Sequence, residues 1–197
     1  GDGFPSRAER KGAPYAGEVM LKEILERYRI PHTISIIQGE ISARGLFAAQ
    51  APALEAVARR IFALDHVEIA SHSFSHPFRW RALAGAAAGG STPAAYSLAI
   101  PNYTYDTSAE VQGSIDYIDK VLAPPGKRTR VFLWTGDCNP DEGPVAAAAG
   151  AGVLNMNGGE TAMTRADPSL TLVAPLGIPR GAHFQVYAPN QNENVYT

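Results

Sequence analysis

Two histidines, His72 and His76, stand four residues apart in the run V-E-I-A-S-H-S-F-S-H-P-F, residues 67–78. Neutral imidazoles at that spacing can grip one divalent metal ion. Pro77 biases the residue before it away from right-handed helical angles, so the pair is not expected to lie along a helix. A helical metalloprotease site would also need a glutamate directly after the first histidine, and Ser73 stands there. The expected arrangement is a buried strand, Val67 to Ala70, that ends in a loop offering both rings to a cleft. The same spacing also occurs among surface histidines and hydrogen-bonded core histidines, and spacing alone leaves both readings open. The chain has five histidines, and the gathering of two in one hydroxyl-rich loop favours the metal.

The elements that would carry this loop follow from hydrophobic periodicity. Residues 18–28 place Val19, Met20, Ile24, Leu25 and Tyr28 near helical spacing between charged residues, and Pro31 stops that helix. Thr33 to Ile37 reads as a buried strand, and Pro52 to Leu64 as a helix with Leu54, Val57, Ala58, Ile61 and Phe62 on one face. Residues 82–90 and the whole of 85–102, rich in Ala, Gly, Ser and Pro, read as a long loop. Thr107 or Ser108 should cap a third helix with core face Val111, Ile115, Ile118 and Leu122, ended by Pro124-Pro125-Gly126. Val131 to Trp134 reads as a strand, Val145 to Ala151 as a short helix, and Val153 to Met156 and Thr171 to Ala174 as further strands.

Strands alternating with helices imply an α/β class with a mainly parallel sheet. In such folds active residues gather on loops at the carboxyl ends of strands. Three polar loops occupy that position: the histidine loop, Thr135 to Glu142, and Asn155 to Gly159. They are expected to converge on one face.

Composition bounds the partners. With 197 residues and 45% apolar content the chain can bury one substantial core, so residues 1–197 are read as a single domain. A net charge of −2 gives no electrostatic case for nucleic acid or an anionic membrane surface. No apolar stretch reaches the ~18 residues of a membrane-spanning helix. A single cysteine, Cys138, excludes an internal disulfide and a thiolate metal cluster, and no base partner marks it as a nucleophile. Gly1 opens the chain without a methionine or a visible signal peptide, so it is read as part of a longer protein.

The order of these pieces resembles the polysaccharide deacetylases of carbohydrate esterase family 4, the NodB-homology group. H-S-F-S-H at His72 to His76 matches the family's H-[ST]-x-x-H motif, and P-H-T-I-S-I-I at Pro31 to Ile37 is similar to its second strand. The match is closer to the deacetylase regions of Pel exopolysaccharide biosynthesis proteins. It is carried by G-D-G-F at Gly1 to Phe4, I-P-N-Y-T-Y-D at Ile100 to Asp106, T-G-D-C-N-P at Thr135 to Pro140, and Y-A-P-N-Q-N-E-N-V-Y-T at Tyr187 to Thr197. The resemblance implies a distorted, incomplete (β/α) barrel of the polysaccharide deacetylase type. It also implies a metal-dependent de-N-acetylase acting on an N-acetylhexosamine exopolysaccharide in the periplasm during biofilm matrix biosynthesis. Other exopolysaccharide export proteins would be its partners.

Carried over position by position, the metal ligands are His72, His76 and Asp2. Three protein ligands leave a zinc position open for water, whose pKa the metal lowers toward neutrality, and the activated water attacks the acetamide carbonyl. Zinc suits this ligand set, as do cobalt, nickel and iron. Asp2 is alternatively the general base, which otherwise lies upstream of Gly1. The general acid is either His183 or a residue beyond Thr197. The family's third motif lacks its arginine here; Asp137 and Asn139 flank Cys138 before Pro140. Asn139, Asp137 and Asn157 are candidate walls of a sugar groove, or ordinary turn residues. Tyr103 and Tyr105 lie in irregular chain after Pro101 and are the aromatics best suited to stack on sugar; Trp134, in a strand, is expected in the core. The altered third motif also fits a catalytically degenerate glycan-binding or assembly module, and the same metal chemistry would serve another amide or ester.

Overall fold

The computed structural model describes residues 12–156 and 176–187. Four strands, β1 (His32–Ile36), β2 (Val67–Ser71), β3 (Val131–Leu133) and β4 (Leu154–Met156), form a wholly parallel sheet in the order β1-β2-β3-β4. Ile36 pairs with Ser71, Ser71 with Phe132, and Leu133 with Met156, so the strands finish nearly level. The loops that follow them therefore open at one end of the sheet. The class is α/β, as the alternation of periods requires.

Two apolar clusters hold this sheet. The first joins Ile36, Val67 and Ile69 of the strands to α3 (Ala51–Phe62), whose Leu54, Ala58, Ile61 and Phe62 are fully enclosed. Complete burial of a leucine, isoleucine or phenylalanine side chain contributes about 1.5–3 kcal/mol, and that of the Ala58 methyl less. The second joins Phe132 and Trp134 to Trp80, Leu83, Val111, Ile115 and Val145. Helical residues 109–122 bridge the two clusters: Val111 and Ile115 face the second, Ile118 and Leu122 the first. This run is α-helical only at α5 (Ser114–Tyr117), with a π-helical turn on either side, Ala109–Gly113 and Ile118–Leu122. The core face expected for it is the one buried.

Two expectations need correction. Residues 82–90 are not loop: α4 spans Trp80–Ala88. Alanine is the best helix former, and Trp80 and Leu83, three apart on one face, anchor the helix in the second cluster. The long loop begins only beyond it. The first helix is α1 (Ala16–Met20), continued by a π-helical turn at Leu21–Leu25. Its buried residues are Leu21 and Leu25, whereas Val19, Ile24 and Tyr28 lie exposed. The wider turn shifts the phase of the apolar stripe, so a strict 3.6 period places Met20 and Leu25 correctly and misplaces Val19, Ile24 and Tyr28. Among the described residues the other α-helices are α2 (Gln38–Ile41) and α6 (Glu142–Gly150).

Beyond the sheet, β5 (Leu176–Arg180) and β6 (His183–Tyr187) make an antiparallel hairpin that the strand patterning did not suggest. Gly181, with φ 59°, takes the first central position of its two-residue turn. The strand expected at Thr171 to Ala174 lies outside the described residues. Among the described residues, no helix is long and apolar enough to cross a membrane.

Candidate functional site

Strand β2 ends at Ser71, and the chain then turns sharply through His72 to Phe78. Ser73 has φ 67° and His76 φ 52°, left-handed conformations that non-glycine residues rarely adopt. Each costs of order 1–3 kcal/mol and persists only where the surroundings over-determine it. Pro77 indeed keeps His76 out of the helical region, as expected.

The surroundings do over-determine this loop. Every N–H from His72 to Phe78 has an acceptor, Pro77 having none to satisfy. His72 N–H donates to Ile36 O at 2.9 Å, and Phe78 N–H to Tyr96 O at 2.7 Å. Ser73 N–H donates to Ser71 Oγ at 3.3 Å, and His76 N–H to Ser73 Oγ at 3.1 Å. Phe74 and Ser75 N–H both donate to Oε2 of Glu110, at 3.0 and 2.8 Å. The carbonyls are held from both sides of the sheet end. Ser73 O and Phe74 O accept from Gln38 and Gly39 after β1, Ser75 O from Leu98, and Phe78 O from Asp137 after β3. Thr135 Oγ donates to Pro77 O at 2.6 Å. Two of the three polar runs singled out in the sequence, the histidine loop and Thr135 to Glu142, thus meet here, chiefly through backbone; most of the third, Asn155 to Gly159, lies outside the described residues.

The two imidazoles face one another edge to face, ring centroids 5.0 Å apart. His72 Nδ1 lies 2.9 Å from Leu133 O, which assigns the proton to Nδ1 and leaves Nε2 with its lone pair. That pattern, a backbone carbonyl orienting a histidine from behind, is how metal-ligating histidines are ordinarily held. His76 Nδ1 is buried and, among the described residues, has no hydrogen-bond partner. A buried polar nitrogen without a partner costs about 1–3 kcal/mol, which a bound cation would recover. Burial, and to a smaller degree the charge of His76, lower the pKa of His72 to about 4, against the Leu133 bond. Burial lowers that of His76 too. Both rings are therefore neutral at pH 7, the form in which imidazole binds metal.

Among the described residues no group of three or more His, Cys, Asp or Glu side chains is arranged to hold a metal. The expected third ligand, Asp2, lies outside the described residues, as does Asn157. The two-histidine half of the site fits a divalent cation by donor type, tautomer and the unpartnered nitrogen.

Other candidates occupy structural positions. Asp137 Oδ1 accepts from the backbone N–H of Trp80 at the start of α4 and from that of Asn139, at 3.2 and 3.1 Å. Asn139 Oδ1 accepts from Arg180 Nη2 at 2.9 Å, so the hairpin side chain docks on this loop. Gln185, fully buried, donates to Cys138 O at 2.7 Å and reinforces the docking. Tyr105 is buried, its backbone held by Thr92. Tyr103 is half-buried, stacks edge to face on Phe74, and donates to Glu110 Oε1 at 2.7 Å. Trp134 is wholly buried, as its strand position implied. His183 opens β6 opposite Arg180, and among the described residues its ring makes no hydrogen bond to the histidine loop.

The residue that sequence reasoning missed is Glu110. Its carboxylate has no exposed surface and gathers four donors: the two amides, the Ser75 hydroxyl and the Tyr103 hydroxyl. Burial pushes its pKa up, and the four donors act in the opposite direction. Comparison of the chain with protein-family models, curated proteins and solved structures returned no match.

Proposed function

We propose that this chain is a metal-dependent polysaccharide deacetylase, removing acetyl groups from an N-acetylhexosamine exopolysaccharide of the Pel type. The observation that carries the reading is the histidine pair. Two neutral rings stand face to edge at the carboxyl end of a parallel strand, one oriented by a backbone carbonyl, the other with a buried nitrogen that has no partner among the described residues. His72 and His76, with Asp2, would hold a divalent metal, zinc by donor type. When bound, such a metal supplies Lewis acidity toward a carbonyl oxygen and lowers the pKa of water.

The chain's own residues do the rest. Leu133 O fixes the His72 tautomer, so no rotation of that ring is needed on loading. The hydrogen-bonded loop keeps both rings from swinging into solvent. A general base, distinct from Asp2 where Asp2 is a ligand, would take a proton from the attacking water.

The barrel belongs to the same proposal. Strand order β1-β2-β3-β4 follows the chain, as in singly wound (β/α) barrels and unlike doubly wound sheets, whose order reverses. A periplasmic site of action and export partners follow from the Pel-like motifs.

One observation favours a second reading, a glycan-binding or assembly module without catalysis. Asp137 and Asn139, where the family's third motif works on substrate, are engaged by Trp80 and Arg180. The two readings separate on His72→Ala in the full-length protein. Loss of acetate release from an N-acetylhexosamine polymer supports the enzyme. Undetectable acetate release by wild type, with glycan binding retained by both proteins, would establish the module instead.

A further inference from the structure

Glu110 is a fully enclosed carboxylate outside the proposed metal ligands, and its hydrogen bonds are directed at the centre of the histidine motif. It lies 36 and 35 residues from Phe74 and Ser75, so the contact is tertiary. Its Oε2 takes the two consecutive N–H groups of Phe74 and Ser75, and its Oε1 the hydroxyls of Ser75 and Tyr103. Two consecutive amides can converge on one oxygen only when the chain between the histidines is tightly turned. The left-handed residues Ser73 and His76 flank that turn on either side.

Three further features keep the carboxylate where it is. Glu110 sits in the first turn of helical residues 109–122, where the helix dipole favours negative charge. Asp106 starts that segment by accepting from Ala109 N–H at 2.7 Å. Ser114, one turn on, meets Ser71 Oγ at 2.7 Å and pins the same helix to the end of β2. The helix thus presents one acceptor to the loop at a fixed height above the strand.

We infer that Glu110 is a positioning residue for the histidine pair, setting the His72–His76 separation through the Phe74 and Ser75 amides. The inference rests on the metal-binding reading, and adds to it a residue that does not touch the metal. Metal affinity is sensitive to such supporting groups, whose loss ordinarily lowers it 10- to 100-fold.

The test uses Co2+ as the probe, in the full-length protein. Glu110→Met removes all four acceptor contacts at similar volume and is expected to lower Co2+ affinity about 10- to 100-fold and shift its visible ligand-field bands. Glu110→Gln is expected to stay within a few-fold of wild type, because its amide oxygen still accepts both backbone N–H groups while its NH2 donates to the two hydroxyls. Equal affinity and identical bands in wild type and Glu110→Met would overturn the inference. Should Glu110→Met not fold, Glu110→Asp decides: its carboxylate is one methylene shorter and must drag the amides inward, and unchanged bands would again overturn the inference. Should wild type take up no Co2+, the metal-binding reading fails, and the imidazole proton resonances of the metal-free proteins decide the positioning role separately. They should be sharp and matched in wild type and Glu110→Gln, and displaced or broadened in Glu110→Met or Glu110→Asp. Superimposable resonances in all of them would refute it.

Discussion

Gly136→Ala is the perturbation that most sharply links the fold to the site. Gly136 follows β3 with φ 57°, a left-handed conformation that costs an alanine about 1–2 kcal/mol. Its added Cβ would stand 2.4 Å from Phe78 Cα and 2.5 Å from the carbonyl oxygens of Pro77 and Phe78. All three are backbone atoms of the histidine loop's outgoing limb, so no side chain can swing aside. Relief needs a displacement of about 1 Å, and overpacking of this kind costs about 1–3 kcal/mol more. The limb cannot slide freely, because Thr135 Oγ donates to Pro77 O and Asp137 N–H to Phe78 O on either side of Gly136. Destabilisation of roughly 2–5 kcal/mol is therefore expected, with the residual shift passing to His76 one bond upstream of Pro77. Urea unfolding reads the first quantity. Zinc competition against a chromophoric chelator reads the second, where at least a tenfold loss of affinity is expected. A variant within about 0.5 kcal/mol of wild type, binding zinc equally well, would refute the packing argument.

Other expectations follow from single interactions. Lys127 Nζ donates to Phe62 O, Leu64 O and Val67 O, closing the carboxyl end of α3 onto the start of β2; Lys127→Met should cost roughly 2–4 kcal/mol in chemical unfolding, with glycan and metal binding intact. In the metal-free chain His72 resists protonation until about pH 4, whereas the unfolded chain takes that proton near 6.5. The unfolded state thus binds more protons between those values, so stability should be full above pH 6.5 and fall by up to roughly 3 kcal/mol as pH drops toward 4. Thermal melts of wild type and His72→Gln across that range check this, the variant losing the His72 share of the slope and keeping that of His76. Asn155 accepts from Trp134 Nε1 and Val186 N–H and donates to Phe184 O, so Asn155→Ala should loosen β6 from β4, raising amide exchange at Val186 while the β1–β2 pairing stays protected.

What the sequence made legible was mostly local. The apolar run Val67 to Ala70, the proline after His76 and the hydroxyls around both rings suffice to read a strand that ends in a non-helical histidine loop. The core face of residues 109–122 was equally plain, because Val111, Ile115, Ile118 and Leu122 recur at helical spacing. Glu110 was not legible. Between Ala109 and Val111 it reads as a solvated residue of a first helical turn, and only pairing across some 35 residues turns it inward. The helix at Trp80–Ala88 was hidden by its alanines and Gly85, which carry little periodic signal although alanine itself favours helix. The hairpin was hidden by Pro179, which argues against a strand except at an edge, and β5 is paired along one side by β6. Asp137 and Asn139 were legible as turn residues, but not the tertiary partners that engage them.

The central claim is that His72 and His76 hold a divalent metal. Elemental analysis of the full-length protein, purified without chelator and then titrated with zinc near neutral pH, tests it most directly beside a His72→Ala/His76→Ala double variant. The account predicts one zinc per wild-type chain and none retained by the double variant with its fold intact. Equal zinc uptake by the two proteins, or no stoichiometric uptake by either, would contradict it.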